Sequence, residues 1–537
     1  MGEDSRQTSA MSLFRPWYLV VMLGLAAVLP YLPGINAPFI FDDMPNIVNN
    51  PAILSFEPGL FLTDAGAFSA KTGNWPYRPL TVTVNSLLTM SFGYTAAAWH
   101  VLQIVLHLFN TVLVLMIAAR GFRLGRAAFL PAYIFAVAPL QTQAVLYASA
   151  TGVVLSCFFA LTAVLAMVYL ADRKDAALAP LVVLCAAAAF ISYEGSLALV
   201  LWLPLVLVGG DHRLRQRKLL AVMAVVFLVA LLFMAARVWF SPGDFLSGHS
   251  EIRPAYSGLE QVITGLQLPW IMAALLLFPK ALNFFHHPAL PAGFVSASSI
   301  ITVLATLFIF GLIVWLRRHR PFVTGMGWYL AALLPAALVS LNLPWAEHRS
   351  YLALPGLLAA LGYAVAGIGG RGNSIRRYLQ VGLLILIVGA LAMNTALRAR
   401  TWTSPVSLLK DAIEKSPGYY VPWHLLASRY LESDECEKSL RLESRALSLK
   451  PDFADGYNTI VQCYLEQDKQ GKALKAAERA VKLEPDNPLY QRNLAVVLIQ
   501  SGLHERARST LKELIHSLPP YHPVRRMAER DLARIKN

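Results

Sequence analysis

Charge is what this sequence has least of. Charged residues make up 15% of the 537, and 56% are hydrophobic, where a soluble domain carries about 25% charged residues. With a mean hydropathy of +0.52, an entirely soluble globular chain is excluded. Cysteine is also scarce. Cys157, Cys185, Cys436 and Cys463 are the four present, and they match no zinc or redox spacing. The first two fall inside apolar runs. The last two can pair only in an oxidising compartment, and pairing is not expected. A net charge of +14 would point to nucleic acid in a soluble chain. Here the basic residues fall in short loops between apolar stretches, which is membrane topology, so no nucleic-acid partner is expected.

Apolar runs long enough to cross a bilayer core, about 20 residues each, recur at 17–34, 98–119, 127–147, 150–171, 177–192, 194–209, 219–240, 297–316, 324–342, 351–369 and 377–396. Eleven transmembrane helices are expected, in an all-α polytopic membrane protein. Two shorter stretches, 79–92 and 266–279, are interrupted by Ser, Thr, Asn or Pro and read as surface-lying or re-entrant helices. If neither crosses, one side collects 17 basic residues: Arg6, Arg15, Arg120, Arg123, Arg126, Arg173, Lys174, Arg213, Arg215, Arg217, Lys218, Arg317, Arg318, Arg320, Arg371, Arg376 and Arg377. The opposite loops before residue 398 hold only Lys71, Arg78, Arg253, Lys280 and Arg349. By the positive-inside bias the N-terminus is cytoplasmic and everything after residue 397 is outside. Arg6 and Arg15 precede the first run without a clear small-residue cleavage site, so an uncleaved anchor is expected.

No charge occurs from Pro16 to Phe41, and the first ionisable groups after the opening run are the adjacent carboxylates Asp42 and Asp43. Two neighbouring anions raise each other's pKa, which suits a base or cation site or else a solvated loop tip. Other polar signals gather on the same outer face. Tyr77-Arg78-Pro79-Leu80 opens the first short helix, and Glu194 sits between two apolar runs. Arg237 lies near the outer end of its span, and Glu347-His348-Arg349-Ser350-Tyr351 fills the last outer loop. Arginines at such depths can simply snorkel to headgroups, whereas a carboxylate between apolar runs needs a partner or water. His100, Gln103 and His107 share one helix face. Packing hydrogen bonds account for that stripe as well as ligand contact does, and it is not read as a metal site.

From about residue 404 the composition becomes that of a soluble helical domain. Pro417, Pro451, Pro485 and Pro519 are each 34 residues apart, the tetratricopeptide (TPR) period. Packing positions recur with them: Trp423, Leu426, Tyr430 and Ala446, then Tyr457, Tyr464, Ala473 and Ala480, then Leu494, Ala495 and Ala507. A membrane domain over 1–397 and a TPR α-solenoid over 398–537 are therefore expected, the latter of a kind that binds peptides or packs on a neighbour.

Laid out this way, the chain resembles GT-C superfamily glycosyltransferases, and more closely the transmembrane and tetratricopeptide-repeat O-mannosyltransferases and their bacterial relatives. The resemblance is carried by Phe41-Asp42-Asp43 through Asn49-Asn50-Pro51, Tyr77-Arg78-Pro79-Leu80-Thr81, Gly93, His100 to His107, Phe135-Ala136-Val137-Ala138-Pro139, Glu194, Glu347 to Leu352 and the repeats. There are departures. Ser149-Ala150-Thr151-Gly152 stands where the family often has Gly-Arg-Ala-Asp, Tyr193-Glu194 replaces a Lys-Glu pair, and Gln103 replaces an Asn.

The resemblance implies sugar transfer from a polyprenyl-phosphate or diphosphate donor to an acceptor on the non-cytoplasmic side, the lipid-linked sugar being substrate and the membrane lipid a partner. Asp42 or Asp43 would be the general base. Arg78, Arg237 and Arg349 would hold the donor phosphate, with Glu194, Glu347 and His348 orienting them or touching the sugar, and Tyr77, His100 and His107 around the substrates or behind those residues. No cofactor is assigned. A divalent metal is left open, although the loss of a second-loop carboxylate counts against a two-carboxylate site. The acceptor expected is a protein Ser or Thr presented with the help of the repeats. The outer compartment is the periplasm or extracellular side in a bacterium or the ER lumen in a eukaryote, and the single compact repeat array favours a bacterial inner membrane with the repeats in the periplasm. The alternatives are a glycan or lipid acceptor, a polysaccharide ligase, and a non-catalytic membrane scaffold.

Overall fold

A computed structural model describes residues 17–71, 76–173, 175–209, 217–241, 258–286, 297–338, 343, 345–368 and 374–535. No strand occurs among them. The chain divides into two compact units, Met1–Pro405 and Val406–Asn537. The division expected at 397 falls inside a helix that runs Ser374–Thr401.

Among the described residues of the first unit, seven helices are long and apolar enough to cross a membrane: Trp17–Gly34, Ala96–Arg120, Ala148–Asp172, Arg217–Phe240, Ala297–Trp315, Arg320–Leu338 and Leu379–Thr401. An eighth crossing exists if the pair Gly125–Val137 and Pro139–Leu146, bent by 50°, is one span. The bend follows from Pro139, which has no amide proton and forces Ala138 into extended backbone. The runs expected at 177–192, 194–209 and 351–369 are helical but short, as Leu178–Ser192, Glu194–Val208 and Leu354–Gly367. Among the described residues, seven of the eleven expected spans, or eight with the bent pair, are thus long and apolar enough to cross by themselves, and the other three are shorter apolar helices. Tyr193 is extended, at φ −160° and ψ 125°, and separates the helix that ends at Ser192 from the one that begins at Glu194, where the two expected runs meet. The 79–92 stretch forms the helix Pro79–Phe92, and 266–279 falls largely within Gly258–Leu277. Of the basic residues used for topology, Arg6, Arg15, Lys174, Arg213, Arg215, Arg253 and Arg371 lie outside the described residues.

Ala148–Asp172 is the middle of the bundle, with 78% of its apolar window buried, whereas Leu379–Thr401 is a lipid-facing wall at 6%. Small side chains make the difference. Ala160 and Ala163 on the central helix and Ala186 and Ala189 on Leu178–Ser192 are fully buried, which lets helix backbones approach. Leu383, Ile385 and Leu386 on the wall are exposed, as suits a face whose solvent is hydrocarbon.

In the second unit, paired helices begin at Tyr420 and Cys436, at Ala454 and Gln470, and at Pro488 and His504, so each start recurs 34 residues later. The turn within each pair passes through a left-handed residue, Asp434 at φ 58°, Asp468 at 54° and Gly502 at 74°, residue types that tolerate it. Each loop proline is tied to the helix after it. Trp423 Nε1 donates to the Pro417 carbonyl (3.1 Å), the Tyr457 hydroxyl to Pro451 (3.2 Å) and Gln491 Nε2 to Pro485 (2.5 Å). Ala446, Ala473, Ala480, Ala495 and Ala507 are buried between helices. Contrary to expectation, Cys436 and Cys463 form a disulfide, their Cα atoms 5.2 Å apart. Stacking of one pair on the next brings the start of one helix against the neighbouring pair, a proximity that sequence spacing alone does not reveal.

Candidate active site

After the opening span the chain turns at Phe41, whose φ of +46° is left-handed and costly for a bulky residue. Packing holds it there: its ring centroid is 4.7 Å from that of Phe284 and 5.2 Å from that of Phe285. Beyond this turn the two carboxylates part. Asp43 is buried, and its Oδ2 accepts the Ile40 amide (2.9 Å) while Oδ1 accepts the Ser149 amide (2.7 Å) and hydroxyl (2.6 Å). Burial pushes this carboxyl up to about 7, against those three bonds. Asp42 is exposed. Its amide donates to the Tyr147 hydroxyl (3.1 Å), which also bonds its carboxylate. The protein ringing Asp42 raises its carboxyl above the ordinary range, with Tyr147, Lys71 and Arg78 pulling the other way.

A cationic cluster forms around the break at Tyr193-Glu194. Arg78, which precedes the Pro79–Phe92 helix, grips Glu194 as a fork: Nε donates to Oε2 at 2.8 Å and Nη2 to Oε1 at 2.7 Å. Arg237, in the last turn of its span, places Nη1 3.7 Å from Glu194 Oε2. The Arg78 guanidinium also lies over the rings of Tyr193 (4.8 Å) and Phe68 (5.2 Å). Arg349 bonds the side chain of Tyr193, and burial pulls its own pKa below the ordinary value. Burial alone would raise Glu194, but Arg78 and Arg237 outweigh it and hold the carboxyl down at about 2. Asp42 and Arg78 each feel the other's charge. The acidic loop and the arginines thus occupy one region of the first unit.

The remaining sequence-identified residues sit around this core or away from it. Tyr77 donates its hydroxyl to the Leu62 carbonyl (2.7 Å) and packs against Phe233 and Phe240. It thereby seats the span that carries Arg237 beside the helix start that carries Arg78. His100 Nε2 meets the Ala37 carbonyl at 3.1 Å. His107 has both ring nitrogens engaged, with the Tyr351 hydroxyl (2.8 Å) and the Ala136 carbonyl (3.1 Å). Gln103 Nε2 donates to the carbonyls of Ala144 (3.2 Å) and Tyr147 (2.7 Å). This stripe is a packing seam that braces the Tyr147 segment. His348 donates its amide to Gln143 Oε1 (2.8 Å). Burial and the charges of Arg349 and Arg78 push its imidazole down to about 3, so it is neutral at ordinary pH. Glu347 is buried, accepting from the Asn283 amide (2.5 Å) and facing His286 Nε2 (2.9 Å).

Sequence reasoning missed Tyr147, Ser149, Tyr193 and Gln143. Ser149 and Tyr193 occupy the very positions where the chain departs from the family pattern, and hydroxyls there hold Asp43 and Arg349. Among the described residues no group of three or more His, Cys, Asp or Glu converges so as to hold a metal. Both Asp43 oxygens are taken up by N–H and O–H donors, so the acidic pair does not fit a two-carboxylate metal site.

Fold and site together define a multi-pass helical membrane protein with an exposed carboxylate beside a cluster of arginines. No protein-family model matches the chain. It is similar to human protein O-mannosyl-transferase TMTC4, at 31% identity over 152 residues covering 25% of this chain and 20% of that protein. It is also similar to human protein O-mannosyl-transferase TMTC1, at 31% over 150 residues (27% and 17%), and to Caenorhabditis elegans protein O-mannosyl-transferase F38B6.6, at 28% over 154 residues (27% and 22%). The chain spans about a fifth of the length of these curated relatives. The resemblance to O-mannosyltransferases carried by the motifs is thus found again over about a quarter of the chain. Among solved structures it is similar to the Archaeoglobus fulgidus oligosaccharyltransferase AglB, solved with an inhibitory peptide and a dolichol-phosphate. That match has a TM-score of 0.39 and 14% identity, covering 76% of this chain and 59% of that one. ArnT from Cupriavidus metallidurans, bound to undecaprenyl phosphate, matches with a TM-score of 0.33 and 13% identity, covering 94% and 81%. Both superpositions are too loose to bear on function.

Proposed function

We propose that this protein transfers a sugar from a polyprenyl-phosphate-linked donor to a hydroxyl acceptor, a protein Ser or Thr, on the non-cytoplasmic side of the membrane. The observation that carries the proposal is the exposed Asp42 carboxylate set beside a cluster in which Arg78, Arg237 and Arg349 surround the single carboxylate of Glu194. Asp42 takes the acceptor hydroxyl's proton as that oxygen bonds to the anomeric carbon. The bond from that carbon to the donor phosphate oxygen breaks, and the phosphate leaves with the electron pair. The arginines stabilise the charge that develops on it. Asp43, held by Ile40 and Ser149, anchors the loop that carries the base.

The charge distribution between loops supports a cytoplasmic N-terminus. The Cys436–Cys463 disulfide supports an oxidising compartment for the second unit, such as the periplasm beside a bacterial inner membrane. The 34-residue register supports a TPR array there. Its groove of about 390 Å³, lined by Ile413, Trp423, Leu426, Tyr430, Lys438 and Arg441 among others, supports a role in engaging an acceptor protein.

The test is replacement of Asp42 and Asp43 by Asn, separately, in membranes supplied with a radiolabelled polyprenyl-phosphate sugar. Asp42→Asn is expected to lower transfer about a hundredfold or more at unchanged expression. Unchanged transfer removes Asp42 as the base, and label recovered in glycan or lipid in place of protein reassigns the acceptor. Absence of transfer from the wild-type chain with every donor supplied would favour a non-catalytic scaffold.

A further inference from the structure

We propose that Glu347 is a positioning residue for the Asp42 base, acting through the Leu282–His286 strap. Its kinetic consequence rests on the glycosyl-transfer proposal above, but its structural consequence does not.

Glu347 is completely buried, and a carboxylate in that setting is costly unless its acceptors are used. One oxygen, Oε1, takes two bonds from the strap, the Asn283 amide at 2.5 Å and His286 Nε2 at 2.9 Å, while the buried Oε2 has no hydrogen-bond partner among the described residues. The strap is closed on itself as well, since Asn283 Oδ1 accepts the Phe285 amide at 3.0 Å. This small clamp presents Phe284 to three rings, with centroids 4.7 Å away at Phe41, 5.3 Å at Tyr147 and 5.7 Å at Trp402. Two of these rings belong to the supports of Asp42. Phe41 is the left-handed residue that precedes it, and Tyr147 carries the hydroxyl bonded to its amide. Both supports therefore lean on one side chain, and that side chain is held by one carboxylate.

The same short turn, Glu347–Ser350, also carries Arg349 into the cluster at Tyr193. Glu347 and Arg349 thus fix the base and the cations relative to each other across two residues of backbone. A transfer reaction needs that spacing, because base and leaving-group cations act on opposite ends of one line of bond exchange, and small misplacements are costly.

The experiment uses the full chain labelled with 5-fluorotryptophan in detergent, with the Trp402 resonance assigned as the one lost in Trp402→Phe. In Glu347→Ala that resonance is expected to move, and kcat for transfer from a labelled polyprenyl-phosphate sugar is expected to fall about tenfold with the donor KM within about twofold. Glu347→Gln keeps an oxygen that accepts both strap bonds, so it is expected to return the resonance to its native position and kcat to within about threefold. Should Glu347→Ala fail to fold, Phe284→Leu is expected to give the same two changes. The proposal is overturned if Glu347→Gln is as slow as Glu347→Ala with the resonance native, which would give the charge itself a direct role. It is also overturned if the resonance stays in place in both Glu347→Ala and Phe284→Leu. If Asp42→Asn leaves transfer intact while Glu347→Ala still moves the resonance, the strap stands and the assignment of the base falls.

Discussion

In the repeat unit the devices that shape each helix pair are local and return after 34 residues. The left-handed turn residues, the side chains tied to the loop prolines and the buried alanines each span a few positions of chain. The site in the membrane unit is built the opposite way. Asp43 is held by a serine 106 residues away, and Arg78 by a glutamate 116 residues away. Local devices fail one at a time, whereas long-range ones share partners, so removing one member leaves several groups unsatisfied.

The strongest test of that contrast is a matched pair of ion-pair deletions. Glu194→Ala strips the carboxylate from Arg78 and Arg237 and leaves guanidinium groups uncompensated in a mostly buried place. Transfer is expected to fall at least a hundredfold, together with a lower melting temperature of the full chain. Arg492→Met breaks a pair of equal length in the repeat unit, with Asp531 at 2.8 Å, and is expected to leave donor turnover within about twofold. Equal losses in both assays would erase the distinction between the two regions.

A pH series sharpens the contrast within the site itself. Glu194, held at about 2 against an ordinary 4.5, contributes stability that is complete above pH 4.5 and disappears only as pH falls towards 2. Asp43 has the reverse sign. Its folded value of about 7 lies above the ordinary 3.8, so the folded state holds its proton more tightly, and stability at this residue rises as pH falls from 7 towards 4. Asp42 must lose its proton to act, and its value is raised, so the acid limb of kcat/KM should lie above pH 3.8. Lowering the pH from 7 to 4 is thus expected to slow transfer, with the stability gained at Asp43 opposed by that lost at His348, whose imidazole stays neutral in the folded state down to about 3 while the unfolded chain takes up the proton below 6.5. Tyr147→Phe removes a hydroxyl bond that favours the Asp42 anion and should shift the acid limb upward. An unmoved limb would show that another group sets it.

The same division between local and long-range determinants governs what could be read from the sequence. The repeat period was legible because its prolines, aromatics and alanines carry it without reference to any other part of the chain. The acidic loop was legible as a place, since an uncharged run ends at two aspartates. The fate of each aspartate was not, because burial of Asp43 depends on the Ser149 hydroxyl and exposure of Asp42 on a left-handed Phe41 packed by Phe284. Convergence of Arg78, Glu194, Arg237 and Arg349 on one face could be expected, but the fork between Arg78 and Glu194 could not. Glu347 was grouped with Arg349 by adjacency, whereas the 3-10 turn sends its side chain to the strap. The runs at 177–192, 194–209 and 351–369 were legible as apolar helices, but their shortness was not, because hydropathy does not register where a helix ends.

The smallest expected effect belongs to the turn residues. Gly502 sits at φ 74°, where a β-branched side chain is strained, so Gly502→Val should cost about 1–2 kcal/mol. That is a fall of a few degrees in the transition of the repeat unit. Asp434 and Asp468 hold the equivalent turns at φ 58° and 54°. Asp468→Gly relieves the strain of a Cβ there but loosens the unfolded chain, and should change stability by less than about 1 kcal/mol. Because each turn serves only its own helix pair, the two substitutions together should give the sum of their separate shifts to within about 0.5 kcal/mol. A larger departure would mean that neighbouring repeats transmit the strain and that the unit is less local than its 34-residue register implies.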